Sequence, residues 1–278
     1  MSHSPLDEIE SSRAPLLDHL IELRQRLIIV IAALGAGFLA CFFVSEWIFQ
    51  VLLLPYRDAW ASVHDTPVEA TELTANFFSP LEMFFLRLKL ALVGAIILTF
   101  PVIAWQIYGF VAPGLYKNER GAFAPFLILS PVLFWSGMAF VYYFVLPMVM
   151  RFSLSQEQTY VGSGLSVELL LNVSDYFNLI TTLMLVFGAS FQMPVLMMLL
   201  SRAGLLKADT LLKGWRFAVV AVALFAAFAT PPDPVSQILL GSALLLLYFI
   251  SIGAMKLIEA GQAKRDAQAA EEEAGNSE

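Results

Sequence analysis

Cysteine, histidine and charge are all scarce in this chain of 278 residues. A single cysteine, Cys41, excludes an internal disulfide, a cysteine-ligated iron–sulfur cluster and a c-type haem attachment. The three histidines, His3, His19 and His64, all precede the second long apolar run. No later run therefore offers an imidazole to a metal, a haem or an intramembrane protease. No H-E-x-x-H pair is present, and no G-x-x-x-x-G-K-[ST] phosphate loop occurs. Charged residues make up 14% of the chain, where a soluble domain carries about 25%. The first 26 residues hold five acids and no apolar run, unlike a cleavable signal peptide.

Apolar residues fill the space that charge leaves: 59% of the chain is hydrophobic, with a mean hydropathy of +0.74. So much apolar surface exceeds what one water-soluble core can hide, and the composition predicts an integral membrane protein. Net charge of −7 argues against nucleic acid as a partner. Apolar runs predict six membrane-spanning helices, at about 27–51, 79–105, 122–147, 175–201, 215–230 and 234–258, each near the ~20 residues a bilayer requires. Residues 1–26 then form an N-terminal segment, 27–258 a membrane domain, and 259–278 a solvated helical tail rich in Ala, Glu and Gln. Ser79-Pro80-Leu81-Glu82 has the form of a capping box with proline at the first helical position. Asp233-Pro234 starts the last span in a similar way, and Ser174-Asp175 starts the fourth. The class is all-α.

Lysine and arginine in the connections set the orientation. Twelve lie on the side of the termini, among them Arg24, Arg26, Lys117, Arg120, Lys207 and Lys213, against Arg57 and Arg151 on the other side. Both termini are therefore expected in the cytoplasm. Leu16, Leu20, Leu23 and Leu27 form one helical stripe, so an amphipathic helix runs into the first span.

Ionisable groups inside a span are costly and suggest function. The third, fifth and sixth spans have none in their interiors, which argues against an ion-coupled transporter. The second span carries Glu82, Arg87 and Lys89, which either snorkel to the headgroups or line a polar groove. In the fourth, Pro194 leaves the carbonyl of Ser190 without a helical donor, so a kink is expected, with Gln192 beside it. That spot reads as a packed kink or as a polar site. Glu22 and Glu119, near Arg24, Arg26 and Arg120, are either partners of their neighbouring arginines or receivers of an external cation. The fifth span is short for a bilayer, which implies local thinning or buried ends. A small-solute secondary transporter is the alternative that six spans and a kinked fourth helix allow.

Several stretches, in order, resemble one family. His19-Leu20-Ile21-Glu22-Leu23-Arg24, Phe78-Ser79-Pro80, and Phe110 through Leu115-Tyr116-Lys117-Asn118-Glu119-Arg120 are similar to TatC, the multispanning receptor subunit of the twin-arginine protein translocase. Gly137-Met138-Ala139-Phe140, Phe187-Gly188 through Phe191, Gln192 and Pro194, and Thr230-Pro231-Pro232-Asp233 with Gln237 continue the likeness across residues 16–258. The resemblance implies a concave, glove-like bundle of six helices in the bacterial inner membrane, without enzymatic activity or cofactor. It implies a cytoplasmic site for twin-arginine signal peptides of folded precursors at Glu22, Phe110, Glu119 and Arg120. Arg24 belongs to the same motif, and Phe110 and Tyr116 supply apolar cover. Pro55, in the first outer loop, resembles a position for partner assembly; Phe191, Gln192, Pro194, Asp233 and Gln237 fall in motifs assigned to the same role. The implied partners are the single-span subunits TatA and TatB in an oligomeric complex driven by the proton motive force. One departure stands out: Gln192 occupies a position where the family often has a glutamate, and an amide cannot titrate.

Overall fold

The computed structural model describes residues 5–65, 76–115, 124–160, 165–167, 169–202, 204–230 and 233–275. Its first helix, α1, runs unbroken from Pro5 to Phe43. At Val44 the chain bends, and a separate helix, α2, spans Ser45–Val63. The first crossing thus stops short of the expected Val51, and much of the expected outer loop is helical. Helix α3 covers Glu82–Leu115. The third crossing comprises α4 (Ala124–Phe140), a π turn over Val141–Val145 and α5 (Leu146–Leu154). The fourth is α6 (Val173–Ser190) followed by α7 (Met193–Arg202). A short α8 (Ala208–Lys213) precedes α9 (Trp215–Ala229), and α10 continues from Pro234 to Gly275. Among the described residues, five stretches are long and apolar enough to cross a membrane, and α9 is a shorter apolar helix. Six crossings return the chain to the face on which it begins, here called the terminal face; the opposite one is the distal face.

Helix starts follow local chemistry. The carboxylate of Glu82 accepts from the backbone N–H groups of Phe78 (2.7 Å) and Ser79 (3.1 Å), the reach-back half of a capping box. Asp233 accepts from the Ser236 N–H at 2.7 Å and so caps α10. In α6 the cap is Asn172, whose side chain accepts from the Asp175 N–H at 3.1 Å; the helix starts before the Ser174-Asp175 pair that reads as its start.

Packing in lipid depends on close backbone approach at small residues. Gly137 and Gly188 supply it between α4 and α6. A Cβ on Gly137 would lie 2.8 Å from the Phe187 carbonyl oxygen, and one on Gly188 would lie 2.8 Å from the Phe134 ring. Around this seam Val141, Val145, Leu146, Phe177, Ile180, Leu183 and Phe187 are fully buried.

Helix α2 is joined to this core by two tyrosines. Pro55, inside α2, has no N–H to give the Val51 carbonyl. The Tyr142 hydroxyl donates to that carbonyl at 2.8 Å, and the Tyr176 hydroxyl donates to the next, Leu52, at 2.8 Å. On the distal face the two outer connections also meet. Asn76 donates its N–H to the Leu171 carbonyl and accepts from the Val173 N–H. His64, stacked on Trp60, sits 3.0 Å from Glu157, which also accepts from the Leu169 N–H. The β structure among the described residues is a small antiparallel hairpin, β1 (Gln158–Tyr160) with β2 (Leu165–Val167), beside an isolated Asn76–Asn172 bridge. On the terminal face, Glu259 of α10 accepts from the Ala208 N–H (2.8 Å) and the Ser201 hydroxyl (3.1 Å), fixing the start of α8.

Candidate functional site

The terminal end of α1 holds the acidic motif. Glu22 and Arg26 stand one turn apart, and both Arg26 bonds to the carboxylate, from Nη2 (2.6 Å) and Nε (3.1 Å), fall on Oε1. The other oxygen, Oε2, lies 4.0 Å from His19 Nδ1. A carboxylate has about four lone-pair positions, so this geometry leaves Oε2 with acceptor capacity. Of the two readings of Glu22, pairing with a neighbouring arginine is present, and it occupies one oxygen.

Arg26 also reaches across to α3. Its Nη2 donates to the Gly109 carbonyl at 2.9 Å and its Nη1 to the Gln106 side chain at 3.4 Å. Only glycine leaves room for this: a Cβ at Gly109 would stand 2.2 Å from Nη1. The adjacent Phe110 ring stacks on His19, centroids 4.2 Å apart and tilted by 17°. A carboxylate, a guanidinium and two stacked rings from helices some 80 residues apart in sequence thus form one half-exposed patch. Arg24 is exposed beside it. Tyr116, Glu119 and Arg120 lie outside the described residues. Sequence reasoning passed over Arg26 as a site residue, although its spacing from Glu22 is the ordinary i, i+4 ion-pair signal. Its bonds to Gln106 and Gly109 had no sequence signal.

The second candidate region is the break in the fourth crossing. The helix interrupts at Phe191 and Gln192, and α7 restarts with Pro194 in its first turn, where a missing N–H costs nothing. The side chain of Gln192 bears on both readings of this spot, a packed kink or a polar site. It is held within the chain: its Oε1 accepts from the Ser130 hydroxyl (2.6 Å) and its Nε2 donates to the Ser130 carbonyl (3.0 Å). Phe191 packs near Phe140 and over Gly137. Beside the break, the hydroxyl of Ser190 is buried with no partner, at the wall of an apolar cleft of about 340 Å³ bounded by Met193, Leu196, Ala221, Val222, Phe225 and Leu244. Gln237 is half-buried in the first turn of α10.

Pro55 sits inside α2 and is buried, in contrast to the loop position read from sequence. The Tyr142 hydroxyl takes the Val51 carbonyl that proline leaves without a donor, and the Tyr176 hydroxyl bonds the next carbonyl, Leu52. The polar groups of the second span separate. Glu82 caps α3, Arg87 stands 3.7 Å from Glu46, and Lys89 donates to the Asn178 side chain. They make no continuous polar wall. Among the described residues, no group of three or more His, Cys, Asp or Glu side chains is placed to hold a metal.

Six apolar crossings joined by short helices and a polar patch at the terminal face define a multi-pass α-helical membrane protein. Residues 18–242 match the family model for TatC, the Sec-independent protein translocase protein. The chain is 35% identical over 255 residues to the Sec-independent protein translocase protein TatC of Magnetococcus marinus, covering 92% of this chain and 89% of that one. It is 36% identical over 242 residues to the TatC of Rickettsia prowazekii, covering 87% and 92%. The fold matches a crystal structure of the twin-arginine translocase receptor TatC in DDM with a TM-score of 0.72 at 32% identity, covering 85% of this chain and 98% of that one. The chain belongs to the TatC family.

Proposed function

We propose that this chain is the receptor subunit of a twin-arginine translocase. It binds the paired arginines of precursor signal peptides at its terminal face, which is cytoplasmic, and it sits in the inner membrane of a bacterium. The observation that carries this reading is the patch of Glu22, Arg26, His19 and Phe110. Arg26 occupies Oε1 of Glu22 and anchors the carboxylate to α3, leaving Oε2 turned toward the stacked rings. A guanidinium can donate one N–H to that oxygen while its plane stacks on an aromatic face, whereas a lysine ammonium is a point charge. Exposed ion pairs are weak, so the rings serve to desolvate the contact. Glu119, Arg120, Tyr116 and Arg24 complete the site in this reading, and Glu119 receives the second arginine.

The partners are single-span subunits of the TatA and TatB kind. The apolar cleft next to Ser190, walled by the fourth, fifth and sixth crossings, supports a helix-docking role for this side of the bundle, and Phe191, Gln192, Pro194, Asp233 and Gln237 belong to the assembly role in this reading. Pro55 acts through the placement of α2. The chain has no catalytic role and needs no cofactor, and the proton motive force drives transport. The test is photocrosslinking of a synthetic signal peptide to the purified protein in vesicles. Binding is expected with the arginine pair, and it should fall sharply when both arginines become lysine or when Glu22→Gln or Glu119→Gln is introduced. Equal crosslinking of the lysine peptide would overturn the reading.

A further inference from the structure

Near the distal face, an apolar cavity of about 510 Å³ opens between the end of α1, the start of α2 and the middle of α3. Val44, Trp47, Ile48, Leu90, Ile97 and Leu98 form much of its wall, and Trp47 and Leu98 are exposed at its opening. Few polar atoms line it, and two of them are engaged: Trp135 Nε1 donates to the Ile97 carbonyl (3.0 Å), and the Thr181 hydroxyl to the Phe177 carbonyl (2.6 Å). A water molecule occupies about 30 Å³ and needs two to four polar partners to stay in such a space. The cavity has room for many waters and offers them few partners. Hydrocarbon is the filling that its walls accept.

The rim of the cavity says which hydrocarbon. Glu46 adjoins the lining residue Trp47 in α2, Arg87 lies one turn before the lining residue Leu90 in α3, and the meeting of the two side chains brings both charges close to the cavity's distal end. Their charged atoms are 3.7 Å apart, in contact but beyond a hydrogen bond, and both side chains are exposed. An apolar slot ending in one cation and one anion matches a lipid whose tail fills the slot and whose headgroup carries both signs. We propose that this cavity binds the acyl chain of a phosphatidylethanolamine, with its phosphate on Arg87 and its ammonium on Glu46. A net anionic headgroup would face Glu46 as a like charge. A choline headgroup has no N–H to donate to the carboxylate. The site depends only on the chain's spanning a membrane, and it stands whether or not the receptor reading above holds.

The experiment uses the full chain in vesicles containing a phosphatidylethanolamine with a diazirine in its acyl chain, and adducts are mapped by mass spectrometry. Adducts are expected at Trp47, Leu98 and their neighbours in the cavity wall. Ala40→Trp, at an exposed lining position, plugs the opening and should abolish them. Arg87→Gln should reduce them roughly threefold, the scale of an exposed charged contact, and Arg87→Lys should largely restore them. The same diazirine chain on phosphatidylglycerol or phosphatidylcholine should label the cavity less. Thermal unfolding in detergent checks that each variant is folded; should Arg87→Gln fail, Ala40→Trp and the headgroup series decide. The site would be overturned by adducts spread evenly over α9 and α10, by adducts unchanged by Ala40→Trp, or by phosphatidylglycerol or phosphatidylcholine labelling as strongly as phosphatidylethanolamine. A cavity that labels with the apolar segment of a photoreactive precursor peptide, and never with lipid even in peptide-free vesicles, would overturn it too.

Discussion

The Tyr142 hydroxyl donates to the carbonyl oxygen of Val51, 2.8 Å away, the carbonyl that Pro55 deprives of its helical N–H. Residues 91 positions apart thus complete one turn of α2 and tie that helix to the third crossing. The expected consequence is coupling. Tyr142→Phe should destabilise the protein by about 1 kcal/mol, within the range of a single hydrogen bond. In a Pro55→Ala background, where the alanine N–H can serve the Val51 carbonyl, the same change should cost less. Thermal unfolding of the double-mutant cycle in detergent measures the difference, and strictly additive effects would separate the two residues.

Arg26 is expected to act as the strut of the acidic patch. Arg26→Lys keeps the charge but cannot hold Glu22, Gly109 and Gln106 together. Gly109→Ala should displace the guanidinium by steric contact alone. Both variants should lower signal-peptide crosslinking several-fold while the protein stays inserted and folded. Unchanged crosslinking in both would show that Glu22 needs no positioning.

At the break in the fourth crossing, Gln192→Leu strips the Ser130 hydroxyl and carbonyl of a partner on the same residue. Interhelical hydrogen bonds in membranes are worth about 0.6 kcal/mol on average, with a maximum near 1.7. The two bonds should therefore cost about 1–2 kcal/mol in stability. Ser130→Ala removes one of them and should be smaller in effect. If Gln192→Leu weakens capture of a partner's transmembrane helix but leaves the melting temperature unchanged, its main role is intermolecular and the internal clasp is secondary.

Helix α9 has 15 residues, or about 22 Å at 1.5 Å per residue, against roughly 30 Å of hydrocarbon. Mismatch costs only fractions of a kcal/mol per Å, enough to bias where partner helices gather. Inserting about four leucines, one further turn, between Trp215 and the turn before α10 should leave signal-peptide binding intact while transport falls. Full transport by a stably inserted, lengthened variant would make the short helix a matter of packing only.

What the sequence determined by itself was set by local physics. Runs of apolar residues and the near absence of buried charge dictate a helical membrane protein, because lipid leaves a backbone only its own helical hydrogen bonds. Caps such as Glu82 and Asp233, and the short fifth helix, are equally local, since each depends on residues within one turn. The family motifs also named Glu22, Phe110 and Gln192 as candidates. The tertiary structure alone decided who satisfies the groups that local structure leaves open. The bend at Val44 and the helix beyond it could not be read from hydropathy, because an apolar run looks the same whether it continues straight or folds over the core. Pro55 reads as a loop residue until Tyr142 and Tyr176 are brought to its turn from later crossings. Gln192 reads as part of a packed kink or as a polar site until Ser130 closes on it. Arg26 reads as a headgroup arginine until Gly109 offers its carbonyl. In each case the deciding partner lies 62 to 124 residues away, beyond the reach of any helical periodicity, and only packing selects it.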